Sequence, residues 1–136
     1  MKILVVDDMP LMRHVLINML RKLDYSDIVE ATDGQQALTL LKQTPFELVI
    51  TDLHMPRVNG KELVDKIHAD PQLAHLPIMV VTCEDNKKTI HELISAQIDG
   101  FIIKPFCLTT LQKQLKYIKA KRDSLLPQNQ APENKA

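Results

Sequence analysis

The chain has 136 residues, enough for one domain with a sizeable core and too few for two. Hydrophobic residues make up 45% of it and charged residues 25%, the composition of an ordinary globular protein. The 17 basic and 17 acidic residues cancel, and no run of about 18 apolar residues occurs, so we expect neither a nucleic-acid partner nor a membrane partner.

Five apolar runs, each followed by a stretch of helical periodicity, organise most of the chain. The runs lack polar alternation, which is typical of strands buried on both faces of a parallel sheet. They cover residues 2–6, 27–31, 47–51, 78–82 and 100–104. Apolar residues three or four positions apart predict the helices: Met12, Val15, Leu16, Met19, Leu20 and Leu23; Ala37, Leu38 and Leu41; Leu63, Val64 and Ile67; Ile90, Leu93 and Ile94; Leu108, Leu111, Leu115 and Ile118. This alternation predicts an α/β fold with a doubly wound, five-stranded parallel sheet.

The periodic pattern stops near Arg122. The segment DSLLPQNQAPENKA that follows is polar, contains two prolines and shows no sustained periodicity. We therefore expect one domain over residues 1–121 and a flexible polar tail or linker over residues 122–136. At the other end, Met1 and Lys2 lead directly into the first strand, so no signal peptide is apparent and we expect a cytoplasmic protein.

Side chains that carry chemistry stand at the ends of four predicted strands. Asp7 and Asp8 follow the first, Asp52 follows the third, and Thr82 and Lys104 close the fourth and fifth. Because the carboxyl ends of parallel strands open onto one crevice, we expect these residues to meet. Three carboxylates so close repel one another unless a hard cation lies among them. Mg²⁺ fits this set, since it favours carboxylate, water and phosphate oxygens.

Lys104 predicts that an anion arrives beside the metal, because its ammonium can neutralise the oxygens of a phosphoryl group. Pro105 restricts Lys104 to extended conformations, which fixes the base of the side chain. The hydroxyl of Thr82 can donate to a phosphoryl oxygen. Taken alone, each residue has an ordinary alternative: a helix N-cap or turn for the aspartates, a strand-end lysine that reaches water, and a β-branched strand residue. Their convergence favours phosphoryl chemistry.

Four motifs resemble those of two-component response-regulator receiver domains of the CheY type. They are VVDD at residues 5–8, TDLHMPRVNG at 51–60, VTCED at 81–85 and DGFIIKPF at 99–106. In this order, they extend over the whole predicted domain. The resemblance implies the flavodoxin-like receiver fold with strand order 2-1-3-4-5.

The resemblance also implies a role for each site residue. Asp52 is the implied phosphoacceptor. The implied Mg²⁺ ligands are Asp7, Asp8, Asp52 and the backbone carbonyl of His54. The phosphoryl oxygens would be bound by Thr82 and Lys104, and the switch would be formed by Thr82 and Phe101. The resemblance also implies a cis peptide between Lys104 and Pro105, and it makes Gly60 the loop glycine before the third helix.

Three positions leave alternatives open. His54 and Glu84 each stand two residues after a site residue, so they either flank the path of water and tune the phosphoryl lifetime or point to solvent. Phe101 is either the switch aromatic or an ordinary core residue. Many chemotaxis members have tyrosine at the position of Phe101, so phenylalanine argues against a role at the flagellar motor.

The implied function is a signalling switch rather than an enzyme. A sensor histidine kinase, a histidine phosphotransfer protein or a small phosphodonor phosphorylates Asp52, and the face formed by helix 4, strand 5 and helix 5 changes its affinity for a downstream protein target. We expect a monomer or weak dimer.

Two alternative functions share features of this sequence. The first is a receiver module cut from a larger regulator with a DNA-binding or cyclic-nucleotide effector. The second is a phosphohydrolase of the haloacid dehalogenase type. It is disfavoured because that class has its second acid two residues after the nucleophile, where this chain has Met9.

Overall fold

A five-stranded parallel sheet forms the centre of the structure, a computed structural model that describes residues 1–83 and 85–124. The strands are β1 (Ile3–Val6), β2 (Ile28–Ala31), β3 (Leu48–Thr51), β4 (Ile78–Thr82) and β5 (Gly100–Ile103). They lie in the order β2-β1-β3-β4-β5, and every neighbouring pair is parallel. The predicted α/β class and strand order are therefore confirmed.

Within the described residues, five helices follow the strands and cover both faces of the sheet. They are α1 (Pro10–Lys22), α2 (Gly34–Gln43), α3 (Gly60–Ala69), α4 (Lys87–Ser95) and α5 (Leu108–Ser124). Helices α1 and α5 pack on one face, and α2, α3 and α4 pack on the other. Within β1, Ile3 and Val5 face the first core while Leu4 and Val6 face the second. Burial on both faces is why the strands are continuous apolar runs. No helix within the described ranges is long and apolar enough to cross a membrane.

The buried sides of two helices differ from the sequence prediction. In α1, Val15 is exposed and the neighbouring Ile17 is buried with Leu16 and Leu20. The α1 sequence has apolar residues on most sides of the helix, so periodicity alone does not determine which side is buried. In α4, Ile94 is 59% exposed, because this helix buries Leu93 against the sheet and leaves its next position at the surface.

Helix α5 continues to Ser124, three residues beyond the expected end of the domain. The guanidinium of Arg122 forms an ion pair with Glu47, which lies just before β3. Glu47 also accepts a hydrogen bond of 2.8 Å from the backbone N–H of Lys2. Both contacts lower the pKa of Glu47 below its ordinary value, and the hydrogen bond from the Lys2 N–H has the larger effect. These contacts hold the end of α5 beside the start of β1. Residues 125–136 of the expected tail lie outside the described residues.

Helix α3 begins against the backbone that carries Asp52. Asn59 and Glu62 form a capping box at its first turn, and the N–H of Gly60 donates to the carbonyl of Leu53 at 2.8 Å. A Cβ atom at Gly60 would lie 2.3 Å from the carbonyl oxygen of Asp52. Position 60 therefore accepts only glycine without a shift of the backbone that carries Asp52.

Gly60→Ala should lower the free energy of unfolding by about 1–3 kcal/mol, because the new methyl group meets backbone atoms that cannot rotate away. Gly100→Ala is the matched control. A Cβ there would meet the ends of the Gln114, Ile118 and Met79 side chains, with its closest approach of 2.8 Å to a flexible amide oxygen. Urea denaturation of both variants measures the difference. Equal stability of the two would show that α3 does not constrain the Asp52 backbone.

Candidate functional site

The predicted acidic residues meet at the carboxyl edge of the sheet. Val6 and Thr51 are in register on the adjacent strands β1 and β3, so Asp7 and Asp52 leave the sheet side by side. One carboxylate oxygen each from Asp7, Asp8 and Asp52 lies within 4.8 Å of the other two. The sheet register thus places three carboxylates from distant parts of the sequence in one cluster, as expected.

The three carboxylates differ in burial and in freedom. The Oδ1 atom of buried Asp7 accepts from the N–H of Met9 at 2.9 Å. The Oδ1 atom of Asp52, also largely buried, accepts from the N–H of Leu53 at 2.7 Å. Asp8 is exposed. Two carboxylates are therefore oriented by neighbouring peptides, and the third stands at the mouth of the cluster.

Lys104 places a buried positive charge among these carboxylates. Its Nζ atom lies 3.2 Å from Oδ2 of Asp7 and 3.6 Å from Oδ2 of Asp52, and its side chain is only 8% exposed. Its backbone N–H donates to the carbonyl of Thr82 at 2.8 Å, and its peptide bond to Pro105 is cis, as the family resemblance implied. One ammonium leaves the three carboxylates with an excess of negative charge.

The donor set fits a magnesium ion. All three candidate side-chain ligands are carboxylates, the hard oxygen donors that Mg²⁺ prefers. Oxygens of an octahedral Mg²⁺ site are about 3 Å apart when adjacent and about 4 Å apart when opposite, so carboxylates within 4.8 Å of one another would have to close around the ion. The negative charge of the three carboxylates that Lys104 leaves uncompensated also favours a divalent cation.

The remaining predicted residues lie around this cluster. Thr82 closes β4 with its side chain fully buried. His54 is exposed in the loop after Asp52, and a role for its carbonyl as a ligand stays a prediction. Phe101 is half-buried in β5, three residues before Lys104, and packs against the cluster of Leu53, Val80 and Leu93. Glu84 lies outside the described residues, so its role in the phosphoryl lifetime also stays a prediction.

Arg13 and Glu30 are part of the site and were missed in the sequence. The guanidinium of Arg13 donates from NH1 to the carbonyl of Asp7 at 2.7 Å and from Nε to Oε1 of Glu30 at 2.7 Å. Arg13 precedes the buried residues Leu16 and Ile17 by three and four positions, so it continues the buried side of α1. A charged residue in line with a buried stripe was the available signal.

A second missed pair anchors the loop after Asp52. The Oδ1 atom of buried Asp33 accepts from the N–H of Gln36 and caps α2, and its Oδ2 atom lies 2.8 Å from NH1 of Arg57. The N–H of Gly34 donates to the carbonyl of Val58 at 3.1 Å. Asp33 is recognisable in sequence as a helix cap, but its partner Arg57 is 24 residues away and carries no local signal.

Comparisons with known proteins agree with this geometry. A family model described as the response regulator receiver domain matches residues 3–116. Chemotaxis protein CheY-3 of Vibrio cholerae serotype O1 is 42% identical over 118 residues, which cover 87% of this chain and 91% of that protein. Among solved structures, chemotaxis protein CheY4 of Vibrio cholerae has a TM-score of 0.78 at 30% identity, covering 86% of this chain and 97% of that one.

A further solved structure is the receiver domain of a sensor histidine kinase from Pseudomonas aeruginosa PAO1, described with a magnesium ion coordinated in its active-site cleft. It has a TM-score of 0.77 at 25% identity and covers 87% of this chain and 97% of that one. With the strand order, the acidic cluster and the family match over most of its length, the chain belongs to the response-regulator receiver family of two-component systems and has CheY-like relatives.

Proposed function

We propose that the protein is a cytoplasmic signalling switch that accepts a phosphoryl group on Asp52. The donor is the phosphohistidine of a sensor histidine kinase or phosphotransfer protein, or a small phosphodonor. The observation that carries this proposal is the contact of the Lys104 ammonium with both Asp52 and Asp7 in a cluster of three carboxylates. The proposal concerns the site, and it holds equally for a free receiver and for a receiver within a larger regulator.

Asp52 is the proposed acceptor because its carboxylate is held at the edge of the sheet by the Leu53 N–H and faces a cation. In the transfer, a phosphorus–oxygen bond to Asp52 forms as the phosphorus–nitrogen bond to the donor imidazole breaks, and the imidazole leaves with a proton. Holding the acceptor in place and neutralising charge on the phosphoryl oxygens are most of what such a transfer needs from a protein. Later hydrolysis of the mixed anhydride restores Asp52.

Lys104 and Thr82 are proposed to bind the phosphoryl oxygens. The Lys104 ammonium can turn from the carboxylates towards the incoming oxygens without leaving the cluster, and the Thr82 hydroxyl can donate to another. Asp7, Asp8, Asp52 and the His54 carbonyl would hold Mg²⁺, which when bound neutralises negative charge on the phosphoryl oxygens. Exposed His54, two residues after Asp52, is proposed to slow or speed the later attack of water.

The proposed output surface is the face formed by α4, β5 and α5. An open groove there is lined by Ile94, Ile98, Asp99, Gly100, Phe101, Gln114 and Tyr117. Ile94 and Tyr117 are 59% and 61% exposed, so the groove presents apolar surface to a protein partner. A phosphoryl group adds about two negative charges at the site. The hydrogen bond from the Lys104 N–H to the Thr82 carbonyl links the ends of β5 and β4, so a movement of either residue would be passed to the other strand.

Asp52→Asn should abolish phosphoryl uptake from a small phosphodonor while leaving the fold intact, since the amide oxygen can still accept from Leu53. Intact mass spectrometry measures the uptake. Asp65→Asn, on the exposed side of α3, is the matched control and should be phosphorylated like the wild type. A variant at position 52 that takes up phosphate normally would place the acceptor elsewhere.

Millimolar Mg²⁺ should raise the melting temperature of the wild type, because it relieves repulsion in the cluster. At a concentration about a hundred times the dissociation constant the gain is about 2.7 kcal/mol. Asp8→Asn should lose most of this gain without being destabilised in the absence of metal, because Asp8 is exposed. Asp27→Asn, at another exposed aspartate, should keep it. A wild-type melting curve that Mg²⁺ leaves unmoved would contradict the proposed metal site.

A phosphoryl mimic bound at Asp52 should change the environment of Phe101, which packs between the β4 core and the open groove. The chain contains three phenylalanines, so fluorophenylalanine labelling gives three resonances to follow by NMR. The resonance of Phe101 should shift, and that of buried Phe46, in the core beside α2, should stay in place as the internal control. An unmoved Phe101 resonance at saturating mimic would make Phe101 a core residue only.

A further inference from the structure

Arg13 joins three elements next to the acidic cluster. It lies in the first half of α1, and its side chain is only 12% exposed. One branch of its guanidinium contacts the carbonyl of Asp7 in the connection after β1, and its Nε contacts Glu30 on β2. Glu30 stands opposite Val5 in the β1–β2 register. The fork of a guanidinium suits this double contact because its donors have fixed relative directions.

The carbonyl that Arg13 contacts belongs to the peptide between Asp7 and Asp8. Because a peptide is planar, fixing its oxygen also fixes the direction in which the chain enters Asp8. The preceding peptide is fixed independently, since the N–H of Asp7 donates to the carbonyl of Ala31 on β2 at 3.1 Å. The backbone of both metal-site aspartates of this connection is thereby held against β2.

Packing alone does not account for an arginine at this position. Leu16, Ile17 and Leu20 form the buried side of α1, and position 13 continues that side towards the site. An apolar residue there would be buried without loss, whereas a guanidinium must be desolvated and paired. Both contacts of Arg13 have the short distances of charge-assisted or well-aligned hydrogen bonds.

We propose that Arg13 is a positioning residue that presets the Asp8 carboxylate for the cation, with Glu30 orienting the Arg13 guanidinium. This inference rests on the proposed function, because it concerns the same magnesium site. Asp8 is exposed, and its approach to Asp7 and Asp52 depends on how the backbone enters it. Outer contacts that orient metal ligands commonly change metal affinity by about 10–100-fold when removed.

The first test is calorimetric titration of the metal-free full chain with Mg²⁺. Arg13→Gln should weaken binding by on the order of tenfold. Arg21→Gln is the matched control, since it makes the same charge change at an exposed position in the last turn of the same helix. It should bind within about twofold of the wild type, because α1 places it about 12 Å further along the axis. Arg13→Lys should resemble Arg13→Gln, since one ammonium cannot reproduce the fork.

Glu30→Gln provides a second variant that does not depend on filling a buried position. It keeps a side-chain acceptor and removes the charge, so it should weaken Mg²⁺ binding less than Arg13→Gln. Combined with Arg13→Gln it should add little further loss, because the two residues act through one contact. Additive losses would show that Glu30 does not act through Arg13.

Two further readouts separate positioning from a general loss of stability. In phosphorylation by a small phosphodonor, Arg13→Gln should need more Mg²⁺ for half-maximal rate yet reach a similar rate at saturation. In metal-free protein, the amides of Asp8 and Met9 should exchange faster with solvent than in the wild type, while amides in β4 remain protected. A loss of protection throughout the sheet would assign Arg13 a structural role and overturn the proposal.

The outcomes distinguish this inference from the proposed function. If the wild type binds Mg²⁺ and Arg13→Gln binds it equally well, the positioning role is wrong and the metal site stands. If the wild type does not bind Mg²⁺, the proposed metal site fails, and the positioning role for that site fails with it.

Discussion

The contact of one buried ammonium with two carboxylates is the constraint on which this structure depends. Lys104 follows β5, while Asp52 and Asp7 follow β3 and β1, with β4 lying between β5 and β3. Neighbouring strands are about 4.8 Å apart, so the reach from β5 to β1 spans three intervals, about 14 Å. Lys104 and Asp7 can bridge this distance only because the lysine side chain is long and both residues lie at the same edge of the sheet. The strand order is therefore part of the site.

The same contact leaves the domain electrostatically unbalanced. Lys104 compensates only part of the charge of the three carboxylates, and two of them are largely removed from water. Buried like charges store free energy that binding of a cation or rearrangement of the cation already present can release. The proposed phosphorylation of Asp52 would change the charge of this same region. The apolar groove beside Phe101 lies one strand from Thr82, on a part of the sheet that such a change would reach.

The convergence of the site was predictable because it follows from short-range rules. Four of the five apolar runs end at or directly before a residue that carries chemistry, and parallel strands bring those ends together whatever their order. The order itself came from the family resemblance. Contacts between side chains far apart in sequence were not predictable. Arg13 of α1 contacts Glu30 of β2, and Arg57 contacts Asp33 from a different loop. The burial of Ile17 in place of Val15 was missed because apolar residues cover most of α1.

The ion pair between Glu47 and Arg122 lies at the edge of the sheet opposite the acidic cluster. Glu47 precedes β3, so it marks the amino edge of the sheet, whereas Asp52 lies at the carboxyl edge. Helix α5 has 17 residues and is about 25 Å long, enough to run from one edge to the other. Helix α5 thus ends at the amino edge of the sheet, opposite Asp52, the proposed phosphoacceptor. If Asp52 is phosphorylated as proposed, a tilt or shift of α5 would carry the change to this edge, and the ion pair of Arg122 with Glu47 would resist that movement.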